Sequence, residues 1–243
     1  MSVLVLQLAG PLQSWGASAR FARRGTENAP TKSGVVGLLA AAAGVSRDAD
    51  QQLAELAALR FGVRIDQPGT RIRDFHTAHH PDTGQAMPLS ERFYLADAAF
   101  VAAVEGASAL IDHLAATLHA PAYLPYLGRR SCPPARPLQP TIHHGTTSLE
   151  HILAGEPWQA ADWYQKRHHR QRHVELTTLI ETRPGDSTTA ADTIRDQPLS
   201  FDPRHRRHAL RRVHSRTVRI PNPYHQPPRP DPAHDPISHL ESV

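Results

Sequence analysis

The chain has 243 residues, 40% of them hydrophobic, 6% aromatic and 21% charged, a length that accommodates one large domain or two small ones. No run approaches the roughly 18 apolar residues of a spanning helix, and residues 1–8 lack the basic flank and small-residue cleavage site of a secretory signal, so neither is expected. The lone cysteine, Cys132, excludes an internal disulfide, a cysteine-based zinc site and an iron–sulfur cluster, and fits a reducing cytoplasm. The net charge of +4 is unevenly spread. Residues 1–128 carry 10 Lys+Arg against 11 Asp+Glu and residues 129–243 carry 17 against 12, so −1 and +5 make up the total. Residues 204–219 alone hold seven arginines and no acid, the pattern of a polyanion-binding surface.

In chain order, residues 3–8 (VLVLQL) form a nearly continuous apolar run closed by Gly10-Pro11, which predicts a buried strand. Residues 34–43 predict a helix capped by Thr31 or Ser33 and ended by Gly44, and residues 48–59 a second with Ser46 as its cap. Phe61, Val63 and Ile65 alternate with Gly62 and Arg64, as in a strand with one buried face. Residues 70–97 read as an insertion: a polar strand (TRIRD), a turn-rich tip (HHPDTGQAMP) and a return strand (RFYL), together a projecting hairpin with little core of its own. Residues 98–104 predict another strand, residues 108–118 a helix stopped by Pro121, and residues 138–142 an edge strand limited by Pro137 and Pro140. Beyond these, strands are expected at 174–180 and 213–220, and residues 221–243, rich in proline, read as a disordered tail.

The order β, α, β, insertion, β, α, β is that of the split βαβ, ferredoxin-like pattern. The expected fold class is therefore α+β: a ferredoxin-like domain over residues 1–142 carrying the hairpin at 70–97, then a small, mostly β, basic lobe over 143–220. Such a fold does not by itself give a function.

Among motifs, Lys32-Ser33 before a helix is similar to the end of a phosphate-binding loop, but GxxxxGK[ST] needs glycine where Thr31 stands, so nucleoside triphosphate binding is excluded. What remains is a backbone-phosphate site built from helix-start N–H groups beside Lys32. His169 and His173 would share a helix face, yet Arg167, Arg170 and Arg172 flank them and repel a dication, so no metal and no cofactor is expected. A metal-independent ribonuclease needs a base and an acid; His76 or His143 can serve, though no spacing selects them. Trp15, in the loop GPLQSWG, is suited either to stacking on a base or to plugging the sheet end. Tyr123 and Tyr126 precede Gly128-Arg129-Arg130-Ser131, where a glycine turn presents two guanidinium groups to phosphates.

Four of these segments, LQLAGPLQSWG (6–16), PTKSGVVGLLAAAAG (30–44), RDFHT (73–77) and PYLGRRSCPPARPL (125–138), follow the order and spacing of one family. Over about its first 140 residues the chain resembles the CasD subunits of type I-E CRISPR Cascade complexes, which are RAMP proteins. The resemblance implies a RAMP-type domain with a thumb-like hairpin and a non-enzymatic role in the prokaryotic cytoplasm. It implies binding to the 5′ handle of CRISPR RNA, capping of the filament of backbone subunits, and contact with the large subunit that recognises target DNA. It implies no membrane partner. Related subunits of another subtype cut repeat RNA, so a metal-independent endoribonuclease is the alternative. On this reading Gly10, Pro11 and Gly16 let backbone approach the RNA, Gln13 bonds a base edge, and Trp15 stacks or packs beneath. Lys32, Ser33, Arg129 and Arg130 hold phosphates, while Arg73 and His76 sit at the root of the thumb.

Overall fold

The apolar run at residues 3–8 is buried because β1 (Ser2–Ala9) lies inside a sheet covered on both faces. The computed structural model describes residues 1–16, 23–145, 147–183, 185, 191–202 and 205–227. β7 (Ala99–Gly106) pairs with β1 along its whole length, from Ser2 opposite Gly106 to Ala9 opposite Ala99. β4 (Arg60–Gln67) takes the other edge of β7, and β8 (Thr141–His144) the free edge of β1. Helices α1 (Lys32–Ala42) and α2 (Asp50–Ala57) lie between β1 and β4 in sequence, and α3 (Ser108–His119) between β7 and β8. Together they cover one sheet face with a core that includes Leu4, Leu6, Val36, Leu39, Phe61, Phe100 and Leu114.

Thr31 is the residue that caps α1, its Oγ1 accepting from the Gly34 N–H at 3.3 Å, and Gly44 follows the helix at φ +70°. α2 starts later than the sequence predicts. Its cap position is Ala49, and Ser46 contributes only its carbonyl, to the Ala49 N–H.

The sheet does not stop at β4. β9 (His173–Glu181) pairs with it, followed by β11 (Arg207–Pro221) and β10 (Asp192–Ser200), giving the order β10-β11-β9-β4-β7-β1-β8 with every pairing antiparallel. The C-terminal strands therefore extend the main sheet rather than forming a lobe of their own. The physical reason is their second face: α4 (Leu149–Gly155) packs Leu149, Ile152 and Leu153 over Val3, Val5, Val101 and Ile180, which binds β9 into the same layer. Next to it, α5 (Asp162–Arg167) brings Tyr164 against Trp158, Val174, Leu176 and Ile220. Hydrophobic periodicity finds neither helix, since seven and six residues barely complete two turns. β10 is missed because it carries Pro198 and two breaks in register. The predicted tail begins inside the fold: Asn222 Nδ2 donates to the carbonyls of Gln165 and His168. Residues 228–243 lie outside the described residues.

A second, smaller sheet is built on β6 (Ser90–Ala96). β5 (Thr70–His76) pairs along one edge of β6, Thr70 opposite Ala96 to His76 opposite Ser90. β2 (Leu12–Gln13) and β3 (Arg23–Arg24) share the other edge. Every residue of β5 is exposed, as expected of a hairpin with little core.

One guanidinium joins these parts. Arg64 of β4 is 0% exposed and donates from Nε and Nη2 to Asp66 at 2.7 and 2.9 Å, and to the carbonyls of Leu153, Glu156 and Pro157 at 2.6 to 2.7 Å. Those carbonyls end α4, so a charge on the sheet satisfies the orphan acceptors of a helix terminus. Burial pushes the Asp66 carboxyl above its usual range, against the opposing pull of Arg64. Replacing Arg64 by Met strands both the carboxyl and the carbonyls, and costs about 3–5 kcal/mol in urea unfolding.

A second ion cluster anchors the start of α4. Arg60 pairs with Glu105 at 3.0 Å and with Glu150. Burial acts to raise the Glu150 carboxyl, but the hydrogen bond and charge of Arg60, together with hydrogen bonds from the Glu150 backbone and Ser148, outweigh it and hold the group at about 2. The folded value is below the ordinary carboxylate value, so this stabilisation is complete above about pH 4.3 and disappears as pH falls towards 2. The urea midpoint is expected to drop across that window, and Arg60→Gln to remove the Glu150 share of the drop.

Candidate nucleic-acid interface

Strand alternation on β6 places Glu91, Phe93 and Leu95 on one face and Ser90, Arg92 and Tyr94 on the other. On the first face Arg73 lies 3.4 Å from Glu91 and 4.9 Å from the Phe75 ring, while Arg23 lies 4.0 Å from the same carboxylate and 5.3 Å over the Phe93 ring. Two cations thus share one carboxylate among exposed or half-exposed aromatic rings. On the second face Arg24 stands opposite Arg92 in parallel register, with Asp74 opposite Arg92 on the far side. Strands β3, β5 and β6 together hold five arginines (23, 24, 71, 73, 92) against Asp74 and Glu91. Such a surface offers guanidinium groups to phosphates and rings to bases.

Residues 127–132 close a tight turn beside this sheet, with Leu127 N–H bonded to the Cys132 carbonyl and Cys132 N–H to that of Arg129. Gly128 is required there. Its φ is +84° and a Cβ would lie 1.8 Å from the Ser14 carbonyl oxygen. The turn separates the two arginines that the sequence pairs. Arg129 turns inward: it donates to the carbonyls of Phe93 (3.2 Å), Arg24 (2.7 Å) and Gly25 (3.3 Å) and stacks 4.8 Å over Tyr94. Arg130 stays exposed.

Several expected contacts are corrected by burial. Gln13 is 0% exposed, its Nε2 donating to the carbonyls of Leu8 and Ala98 and its Oε1 accepting from Trp15 Nε1, so no atom is left to bond a base. Trp15 is likewise 0% exposed and plugs the core. Gly10 admits the backbone of a neighbouring segment: a Cβ would lie 2.9 Å from the Pro133 carbonyl oxygen. Lys32 is 1% exposed and its ammonium is held by both Glu181 oxygens at 3.0 and 2.9 Å; burial lowers its pKa despite that partner. The backbone N–H of Lys32 donates to Asp196 at 2.8 Å, so the helix start already has its anion, and Ser33 beside it is buried. A local pattern cannot reveal this, because Asp196 and Glu181 arrive from β10 and β9.

The exposed candidates are arranged along β6. Pro11, whose carbonyl accepts from the Asp97 N–H, marks one end. Gly16 and Arg130 are exposed, Arg130 next to Arg129, which bonds the Phe93 carbonyl; Arg73 stands opposite Phe93, and His76 opposite Ser90 marks the other end. Arg23, Arg24, Phe75 and Phe93 join them without having been singled out, although the paired arginines and the alternation in RIRDF carry a signal for them. His143 lies on β8, at the far edge of the large sheet, bonded to Glu156 at 2.9 Å, and is not brought to His76. His169 and His173 share no helix face, because α5 ends at Arg167 and His173 opens β9. Among the described residues no three His, Cys, Asp or Glu are grouped to hold a metal ion, and no helix is long and apolar enough to cross a membrane.

Comparison with known proteins fits this geometry. The profile of the family described as CRISPR-associated protein (Cas_Cas5) matches residues 3–214. The chain belongs to this Cas5 family. It is 33% identical over 198 residues to the CRISPR system Cascade subunit CasD of Escherichia coli (strain K12), covering 74% of this chain and 88% of that protein. A solved chain from a CRISPR RNA-guided surveillance complex aligns with a TM-score of 0.71 at 31% identity, over 93% of this chain and 95% of that one. The crystal structure of a Cas protein aligns at 0.67 and 33% identity, over 94% and 100%.

The two arginines of the turn are expected to separate in a denaturation experiment. Arg129→Ala loses charged hydrogen bonds to three carbonyls and lowers stability by about 1–3 kcal/mol. Arg130→Ala changes it by less than about 0.5 kcal/mol.

Proposed function

We propose that this chain is the CasD-type subunit of a Cascade surveillance complex and that it binds CRISPR RNA without cutting it. The observation that carries this reading is the exposed arginine and aromatic surface of β3, β6 and β5, where cations outnumber carboxylates and rings lie beside them. Single-stranded RNA is held by just such a mixture of phosphate contacts and stacking. Likeness to a Cascade subunit, and to a chain solved within an RNA-guided surveillance complex, supports the assembly. We read the β4-β7-β1-β8 order, with helices between β1 and β4 and between β7 and β8, as the ferredoxin-like unit of a RAMP protein, and β5–β6 as its thumb. In this assignment the 5′ handle lies along β6 in contact with Gly16, Arg73, His76 and Arg130, and Pro11 flanks its end. The thumb meets the adjoining backbone subunit, the chain caps that filament, and target DNA is touched only through the large subunit. The setting is the prokaryotic cytoplasm.

Purified chain incubated in EDTA with labelled repeat-derived RNA is expected to bind it and leave it intact. The slope of log K against log salt should lie near −2 to −4, at about −0.7 per phosphate, and the double substitution Arg73→Gln, Arg130→Gln should flatten it by about 1.4. An unchanged slope removes these two residues from the interface. A single cut whose rate collapses on His76→Ala or His143→Ala replaces the reading with a ribonuclease.

A further inference from the structure

Several cations of this protein have partners: Lys32, Arg60, Arg64, Arg129 and Arg211 are all tied to carboxylates or carbonyls. The run at residues 166–173 is different. It holds Lys166, Arg167, Arg170 and Arg172 with three histidines and no acid. All four Lys and Arg side chains are exposed, and among the described residues no ion pair engages Arg167, Arg170 or Arg172. Lys166 lies 5.0 Å over the Tyr224 ring.

The run is also rigidly built. Asn222 donates from Nδ2 to the carbonyls of Gln165 and His168 and from its backbone N–H to that of Arg172, while the Gln226 N–H reaches the carbonyl of His169. Gln165, buried, donates to the carbonyls of Trp158 and Ala160. Holding four like charges in one fixed ridge raises their mutual repulsion, and folding gains nothing from it. A polyanion does.

A groove of about 900 Å³ runs beside the ridge. Its lining includes Tyr164, His168 and His173 together with Asn28, Arg71 and Leu95, which belong to the hairpin sheet and its loop. Tyr164 and His168 are 4.8 Å apart, ring centre to ring centre. Arg71, in the lining, donates from Nη2 to the Thr26 carbonyl and Asn28 Oδ1. The floor includes Thr177 and one acid, Glu175, which stands opposite Arg219 in register; Asp66, also in the lining, is neutralised by Arg64.

We infer that the ridge at residues 166–173 and this groove form a second track for single-stranded RNA, reading backbone rather than sequence and continuous at Arg71 with the hairpin sheet. The inference rests on the RNA-binding reading above and extends the path of the same strand. Phosphates lie on Lys166, Arg167, Arg170 and Arg172, and bases turn towards Tyr164 and His168. Single-stranded RNA fits better than duplex because the groove is lined by rings, which only unpaired bases can stack upon.

The test uses the full chain, repeat-derived RNA, a scrambled RNA and a duplex DNA of equal length. Between about 50 and 200 mM salt the unaltered chain should lose about 20-fold more affinity for either RNA than the triple variant Arg167→Gln, Arg170→Gln, Arg172→Gln, because three fewer phosphates at about 0.7 each lower the slope by about 2. The corresponding triple lysine variant should restore the slope. RNA carrying 4-thiouridine should crosslink to Tyr164 or His168. An unchanged slope in the glutamine variant, crosslinks confined to the hairpin sheet, or tighter binding of the duplex overturns the track. Equal binding of repeat-derived and scrambled RNA by the unaltered chain, with the slope difference intact, instead refutes handle recognition and leaves the track standing.

Discussion

The fully buried guanidinium of Arg64 is the constraint on which both the ridge at residues 166–173 and the hairpin sheet depend. It turns the end of α4 onto β4, and its partner Asp66 accepts from the Gln159 N–H while the Asp66 carbonyl accepts from Trp158 Nε1. Trp158 and Ala160 in turn receive Gln165, which fixes α5, and Asn222 fixes the residues after it. At the end of the same strand, Gln67 spans to the hairpin sheet, donating to the Asp97 carbonyl and accepting from the Ala161 N–H. A short chain of hydrogen bonds therefore holds the ridge and the base of the hairpin at one distance. Because each link is buried and polar, losing one leaves its neighbours without partners, which makes the arrangement specific rather than merely stable.

The same logic divides the cations into two populations. Lys32, Arg60, Arg64 and Arg211 are interior joints between elements far apart in sequence: Arg211 of β11 bonds Asp196 of β10 at 2.6 Å, and Asp196 also caps α1 through Lys32 N–H. Arg23, Arg73, Arg130 and the ridge arginines are exposed, with weak partners or none among the described residues. Only the second population is available to a polyanion. Counting arginines cannot distinguish them, since burial and the position of a carboxylate decide which is which.

What the sequence reveals follows from how local each determinant is. β1, β7, α1 and α3 are legible because their apolar spacing is set within the element, and the hairpin is legible because its strands are polar between turn residues. Thr31 as a cap and Gly44 after the helix are likewise local. Gln13 and Lys32 are misread because their partners come from elsewhere in the chain: Ala98 for Gln13, Glu181 for Lys32. Of the two uses open to Trp15, the plug prevails, since its indole N–H finds Gln13 inside the core rather than a base outside.

The arginine cluster at residues 204–219 shows why density in sequence is not density in space. Arg204 lies outside the described residues, while Arg207 to Arg219 fall on β11, where alternate side chains point to opposite faces. Arg211 is drawn into the core by Asp196, Arg219 lies on the face of Thr217 and Ser215, and Arg212 and Arg216 lie on the other. A strand thus disperses the charge that its sequence concentrates. Residues 166–173 behave differently: a helix end followed by turns keeps successive cations outward, and the pinned carbonyls leave them no inward alternative. Of the two basic runs in the second half, the shorter one keeps all four of its cations exposed, and residues of the same run line a groove that Arg71 of the hairpin sheet also lines.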